Sequence, residues 1–76
     1  MKEELKAIIE NIVSDPSSVS INETESERGI VFEVKVAESD MGKIIGREGR
    51  IAKAIRTVMK AVAAKENKRI SIEFIG

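Results

Sequence analysis

The chain predicts an α+β fold, one three-stranded sheet with its helices packed on a single face, and three observations carry that expectation. Apolar residues recur at three- and four-residue steps in two segments, Leu5-Ile8-Ile9-Ile12-Val13 and Ile51-Ala54-Ile55-Val58-Met59-Val62. Apolar and polar residues alternate in two others, 30–36 and 70–74, as strands with one buried face do. At 76 residues the chain has the length of one small domain, near the lower limit at which a single apolar core suffices.

The first helix is expected over about residues 2–13 and ends at Ser14-Asp15-Pro16, where proline removes a donor and disfavours helical geometry before it. A strand over about 18–25 follows from Val19 and Ile21, but Glu23 and Glu25 continue the apolar parity, which suits a partly exposed edge. Glu27-Arg28-Gly29 supplies a turn into the strongest strand, 30–36, with Ile30, Phe32, Val34 and Val36 on one face. Ser39 and Asp40 are expected to cap a short helix over 39–45. The longer helix runs over about 50–65, closes at Asn67, and leads to a last strand in which Ile70, Ile72 and Phe74 alternate with Arg69, Ser71 and Glu73.

Composition removes several kinds of activity. Without cysteine or histidine there is no disulfide or thiol nucleophile, and the commonest metal ligand and general base are missing. No catalytic residue, metal or cofactor is expected. No apolar stretch approaches the roughly 20 residues that cross a bilayer, and the first residues lack the apolar centre of a signal peptide, so a cytoplasmic protein is expected. The formal net charge of zero hides a division: residues 1–40 carry ten acids and four bases, residues 41–76 nine bases and three acids. A polyanion responds to such a local patch rather than to the total.

The basic half centres on G-K-I-I-G-R-E-G-R-I-A-K-A-I-R, residues 42–56. Gly46 and Gly49 interrupt a helical pattern at about 1 kcal/mol each relative to alanine, which calls for a backbone reason. One reading is a tight connection between helices in which the glycines supply unusual backbone angles. The other is a phosphate-binding turn, where missing side chains let a polynucleotide backbone approach the amides and Lys43, Arg47, Arg50, Lys53 and Arg56 add charge. Ile44, Ile45, Ile51 and Ile55 could then divide between core and a shallow groove for bases, with Ile44 and Ile51 the stronger groove candidates. Phe32 and Phe74 are the only aromatics and both read inward, so stacking platforms are disfavoured. The segment contains neither the dinucleotide G-x-G-x-x-G nor the G-K-[S/T] of a nucleotide-triphosphate loop.

These residues resemble a KH domain, defined by a G-x-x-G turn between two helices after an apolar pair. The match extends through A-V-A-A-K-E and R-I-S-I-E and covers Leu5 to Phe74, as in the small bacterial single-domain KH RNA-binding proteins of the KhpA type. The resemblance implies the minimal prokaryotic, type II arrangement, helix-strand-strand-helix-helix-strand, as one KH domain over 1–76. It implies noncatalytic binding of single-stranded RNA, with Gly46, Arg47, Glu48 and Gly49 at the RNA backbone and Ile44, Ile45 and Ile51 along or behind the groove. The strand around Val31 to Lys35 would form the opposite wall, and Lys43, Arg50, Lys53 and Arg56 would be nearby cations. Homodimers and a larger KH-containing RNA-binding partner are also implied. Glu48 departs from the pattern by placing an acid where a second base would favour phosphate. The competing expectations are a protein-interaction module and a single-stranded DNA-binding domain.

Overall fold

The computed structural model describes residues 1–75, with Arg47 described for its backbone alone. Helix α1 (Lys2–Ile12) leads through a 3-10 turn (Pro16–Ser18) to β1 (Ser20–Ser26) and β2 (Gly29–Lys35). The long helix α2 (Glu38–Lys65) and β3 (Ile70–Ile75) complete the chain. Strand β2 is central, antiparallel to β1 with Ile21 opposite Val34, and parallel to β3 with Phe32 opposite Ile72.

The alternation seen in the sequence becomes the two faces of this sheet. Ile30, Phe32, Val34 and Val36 turn inward with Ile21, Ile70 and Ile72, while Glu33 and Lys35 lie on the uncovered face. Leu5 and Ile9 of α1 and Ile44, Ala52, Ile55, Met59 and Ala63 of α2 complete the core from one side. Each fully buried Leu, Ile or Phe contributes about 1.5–3 kcal/mol by leaving water. Glu23 and Glu25 are exposed, so β1 is the open edge that its charges indicated.

Two backbone sites hold the strands in this order. At Gly29, φ is +128°, and a Cβ there would stand 2.5 Å from the carbonyl oxygen of Arg69. That oxygen accepts the Ile30 N–H at 2.9 Å, the first link between β2 and β3. Only glycine permits both the angle and the approach. At the end of α2, Asn67 adopts φ +57°, and the N–H groups of Lys68 and Asn67 bond the carbonyls of Ala63 (2.9 Å) and Ala64 (3.1 Å). The helix ends at Asn67 as expected, and it does so in a left-handed conformation, a Schellman arrangement with asparagine in place of glycine.

The start of α2 corrects one expectation. Ala37 occupies the cap position and no side chain bonds the first amides, so neither Ser39 nor Asp40 caps this helix. Asp40 is fully buried and turns to the end of α1, where its carboxylate accepts the backbone N–H groups of Ser14 at 2.8 Å and Asp15 at 3.1 Å. Lys43 Nζ lies 3.7 Å from the same carboxylate and donates to Ser14 Oγ. The chain beyond α1 offers unpaired amides because Pro16 stops the helix, and a buried carboxylate is the acceptor that suits them.

The Ser14 N–H holds the Asp40 carboxyl below its ordinary range, burial opposes this, and the Asp15 N–H and Lys43 act in the same direction as Ser14. A carboxylate with a depressed folded value contributes stability that is present above its unfolded pKa of about 3.9 and lost as pH falls through the folded value. Asp40→Asn should therefore lower the thermal midpoint at neutral pH and flatten the loss of stability below about pH 4. Circular dichroism melts across that range test this, and a variant melting like the parent at neutral pH would show that the clasp contributes nothing.

Candidate nucleic-acid interface

The turn anticipated at 46–49 lies within the helical span Glu38–Lys65, where the backbone changes hand at Glu48 (φ +62°) and Gly49 (φ +69°) and divides the span into two helical segments. The unusual angles therefore belong to Glu48 and Gly49, not to Gly46 and Gly49. A left-handed glutamate costs about 1–2 kcal/mol, a local strain that the packed segments on either side must offset. Successive residues that switch between right- and left-handed conformations are also the backbone pattern that gathers N–H groups around an anion.

Gly46 has a different reason for being glycine. Its φ is not positive, and a Cβ built on it meets nothing within 4 Å. Neither the fold nor its own conformation excludes a side chain there. What the missing side chain provides is open surface beside the reversal, where another molecule can come close to the backbone.

The isoleucines divide differently from expectation. Ile44 is completely buried and Ile45 is 50% exposed, so the surface residue of the pair is Ile45 and Ile44 lies in the core. The helical repeat turns Ile44 toward the sheet and its neighbour about 100° away. Ile51 is half-buried on the α1 side of α2, where it lines an apolar groove of about 260 Å³ with Ile8, Ile12, Ala54, Ile55 and Val58. Ile12, Ser39, Gly42, Lys43 and Ile51 line a second depression of about 540 Å³ that shares Ile12 and Ile51 with the first.

The cations are likewise sorted by helix face. Lys53, Arg56 and Lys60 follow one another at three and four residues, one stripe of α2, with Arg56 and Lys60 against β3. Arg50 and Lys53 are exposed. Lys43 is tied to Asp40 and Ser14, and the Arg47 side chain lies outside the described residues. Arg56 is half-buried, its Nε donating to the Ile72 carbonyl at 3.1 Å and its guanidinium 5.5 Å from the Phe74 ring centre.

Strand order corrects the expected wall. The segment Val31 to Lys35 belongs to the central strand, paired on both sides, so it has no edge to offer. The open edge beside the basic stripe belongs to β3. Because Ile30 N–H bonds Arg69 C=O in a parallel pair, the backbone groups of Ser71, Glu73 and Ile75 turn toward β2. Those of Ile70, Ile72 and Phe74 turn outward, as the bond from Arg56 to Ile72 confirms. Sequence reasoning placed Lys60 on the same side as Lys53 and Arg56 but left it out of the site for its distance from the glycines, and it did not identify this edge; the alternation in 70–74 carried the parity, but not which strand stands outside.

A family model described as KhpA/KhpB, KH domain, matches residues 2–74, including the whole of α2 and its reversal. The chain belongs to the KhpA/KhpB KH-domain family. Over 75 residues it is 53% identical to a protein of Clostridium acetobutylicum named RNA-binding protein KhpA, covering 99% of this chain and all of that relative. Proteins of the same name from Clostridium perfringens and Chlamydia pneumoniae are 52% and 48% identical, covering 99% of this chain and 100% and 96% of their own lengths. No solved structure matches the chain. Among the described residues of this KH domain, no group of three or more acidic, cysteine or histidine residues could hold a metal ion, and no helix is long and apolar enough to cross a membrane.

The two isoleucines before the turn should respond unequally to truncation. Ile44→Ala should cost about 2–4 kcal/mol through the cavity it leaves, while Ile45→Ala should stay within about 1 kcal/mol. Urea unfolding of the two variants measures the difference, and equal losses would contradict the burial described.

Proposed function

We propose that this chain is a noncatalytic module that binds single-stranded RNA through the G-R-E-G turn and the strip of α2 facing the free edge of β3. The observation that carries the reading is the change of hand at Glu48 and Gly49 beside an unobstructed Gly46, in the basic half of the chain. The family and the names of its relatives support RNA as the ligand. Arg47 and Arg50 meet phosphate, Lys53, Arg56 and Lys60 extend the positive strip, and Ile45 gives a base an apolar contact. Lys43 contributes charge while tied to Asp40. Ile44 and Ile51 support the surface from behind, and Glu48 limits electrostatic affinity. The protein then acts as an RNA-binding adaptor, in post-transcriptional control or as an RNA chaperone, in the bacterial cytoplasm where transcripts are found.

One small module engages few nucleotides, so a second module raises avidity. The apolar groove between α1 and α2, with Val58 49% exposed, is the face for a second copy of the chain. A larger KH-containing protein is the competing occupant. Val58→Glu should convert a dimer to a monomer in sedimentation equilibrium, and a parent that sediments only as a monomer would remove the homodimer.

Matched single-stranded RNA, single-stranded DNA and duplex, titrated across salt, test the ligand. Two or three phosphate contacts give a logarithmic salt slope of roughly −1.4 to −2.1, at about −0.7 for each. Arg47→Asp combined with Glu48→Asp should keep the cooperative fold, since aspartate tolerates the left-handed conformation, and lose most RNA affinity. Gly46→Ala should leave stability unchanged or raised by up to about 1 kcal/mol while weakening binding. Unchanged RNA affinity in both variants would overturn the turn contact. Equal preference for DNA would favour the single-stranded DNA reading, and no nucleic-acid binding would favour a protein-interaction module.

A further inference from the structure

The two edges of the sheet are not equally open. In β2 the backbone of Ile30 turns toward β3, since its N–H bonds the Arg69 carbonyl. Backbone groups alternate in direction along a strand, so Gly29, Val31, Glu33 and Lys35 turn toward β1. Their register partners Ser26, Thr24, Asn22 and Ser20 take up those bonds, which leaves the N–H and C=O groups of Ile21, Glu23 and Glu25 pointing away from the sheet. At β3 the Arg56 side chain already occupies the Ile72 carbonyl. At β1, among the described residues, no turn, loop or side chain bonds the outward backbone.

Edge strands are ordinarily blunted by proline, lysine or a bulge. Strand β1 has none of these: it reads Ser-Ile-Asn-Glu-Thr-Glu-Ser, and its register runs unbroken from Ser20 to Ser26. It carries Glu23 and Glu25 instead, which share one face of the strand and are themselves residues whose backbone is free. Both are exposed, and neither is in an ion pair among the described residues. Such an edge excludes some strands and admits others. In the antiparallel register that pairs the whole of two β1 edges, Glu23 would stand opposite Glu23 of a second copy, and like charges directly opposite are destabilising. The same carboxylates repel a polynucleotide. A strand with lysine or arginine at every second position sets a cation against each glutamate while its backbone completes the ladder.

We propose that β1 is a docking edge for a basic, extended segment of a protein partner, which joins the sheet as a further strand beside β1. The free backbone groups of Ile21, Glu23 and Glu25 hold the segment, and the two carboxylates select it by its cations two residues apart. The sheet then has two distinct borders, with β3 beside the basic stripe of α2 and β1 open to a basic polypeptide. A partner of this kind and a polyanion occupy opposite edges of one sheet.

The probe is a terminally blocked peptide of alternating arginine and threonine, as long as β1, added in excess to the full chain at low salt. Amide hydrogen exchange and calorimetric titration read the result. The outward N–H groups of Ile21, Glu23 and Glu25 should exchange about tenfold or more slowly with peptide bound. Glu23→Thr combined with Glu25→Thr keeps strand-forming residues and removes both charges, and it should weaken binding about fivefold or more. The same peptide with every backbone nitrogen methylated keeps the charges and loses the donors, and should bind about tenfold or more weakly. Exchange at the three amides that is as fast with the peptide as without it would overturn the proposal. Undiminished binding of the methylated peptide would also overturn it, by reducing the contact to charge alone. Unchanged affinity in the double variant, or equal binding of a peptide with glutamate in place of arginine, would show that Glu23 and Glu25 select nothing. Should the threonine variant fail to fold, Glu23→Gln with Glu25→Gln replaces it under the same criterion.

Discussion

The change of hand inside α2 is the constraint on which the rest of the molecule depends. A straight helix of 28 residues would be about 42 Å long at 1.5 Å per residue, yet the whole molecule extends only 34 Å. The chain must therefore redirect, and it does so at Glu48 and Gly49, between two helical segments of the one span Glu38–Lys65. Redirection lets Ile44 on one side and Ala52, Ile55 and Met59 on the other reach the same sheet. The same change of hand lies beside Gly46, where a Cβ would meet nothing within 4 Å, and this is where the proposed reading brings a phosphate to the backbone. Fold and site therefore share one device, and the strain of a left-handed glutamate is offset by burial on both flanks.

Beyond the reversal, the second segment of α2 presents three surfaces. Ala52, Ile55, Met59 and Ala63 enter the core; Ile51, Ala54 and Val58 meet α1 in an apolar groove; Lys53, Arg56 and Lys60 form the basic stripe, with Arg56 and Lys60 against the edge of β3. Apolar and basic surfaces are thus separated on one helix, so the partner and the polyanion proposed for them need not compete. The parallel placement of β3 beside β2 makes this arrangement, because it puts an unpaired strand edge beside the basic stripe. Gly29 is the residue that permits it, by allowing the Arg69 carbonyl to approach the start of β2.

How much of this was legible depended on distance along the chain. Strand periods, the end of α1 before Pro16 and the close of α2 at Asn67 are local patterns, and each appears within a residue or two of where the sequence placed it, whereas the buried side of α2 runs through Ala52 and Ala63 and leaves Ala54 and Val58 exposed. The special segment at 46–49 was legible for the same reason, since glycine in a helical pattern is a local anomaly. The division of Ile44 from Ile45 was not, because adjacent helical positions differ only in what each faces. Asp40 read as a cap from its place at the start of a helix; a pair of amides 25 and 26 residues away claimed it.

By itself the sequence determined the elements, the α+β class, the basic second half and the location of the turn, since these arise from hydrophobic periods and charge counts within short windows. Only the tertiary structure decided that β3 and not β2 borders the basic stripe, that Ile45 is the exposed isoleucine, and that Glu48 shares the left-handed geometry with Gly49. It alone joined Arg56 to Ile72, 16 residues away, and to the Phe74 ring. The physical reason is common to all of them. Burial, strand order and hydrogen-bond partners are properties of what lies opposite in space, and the sequence records only what lies adjacent along the chain.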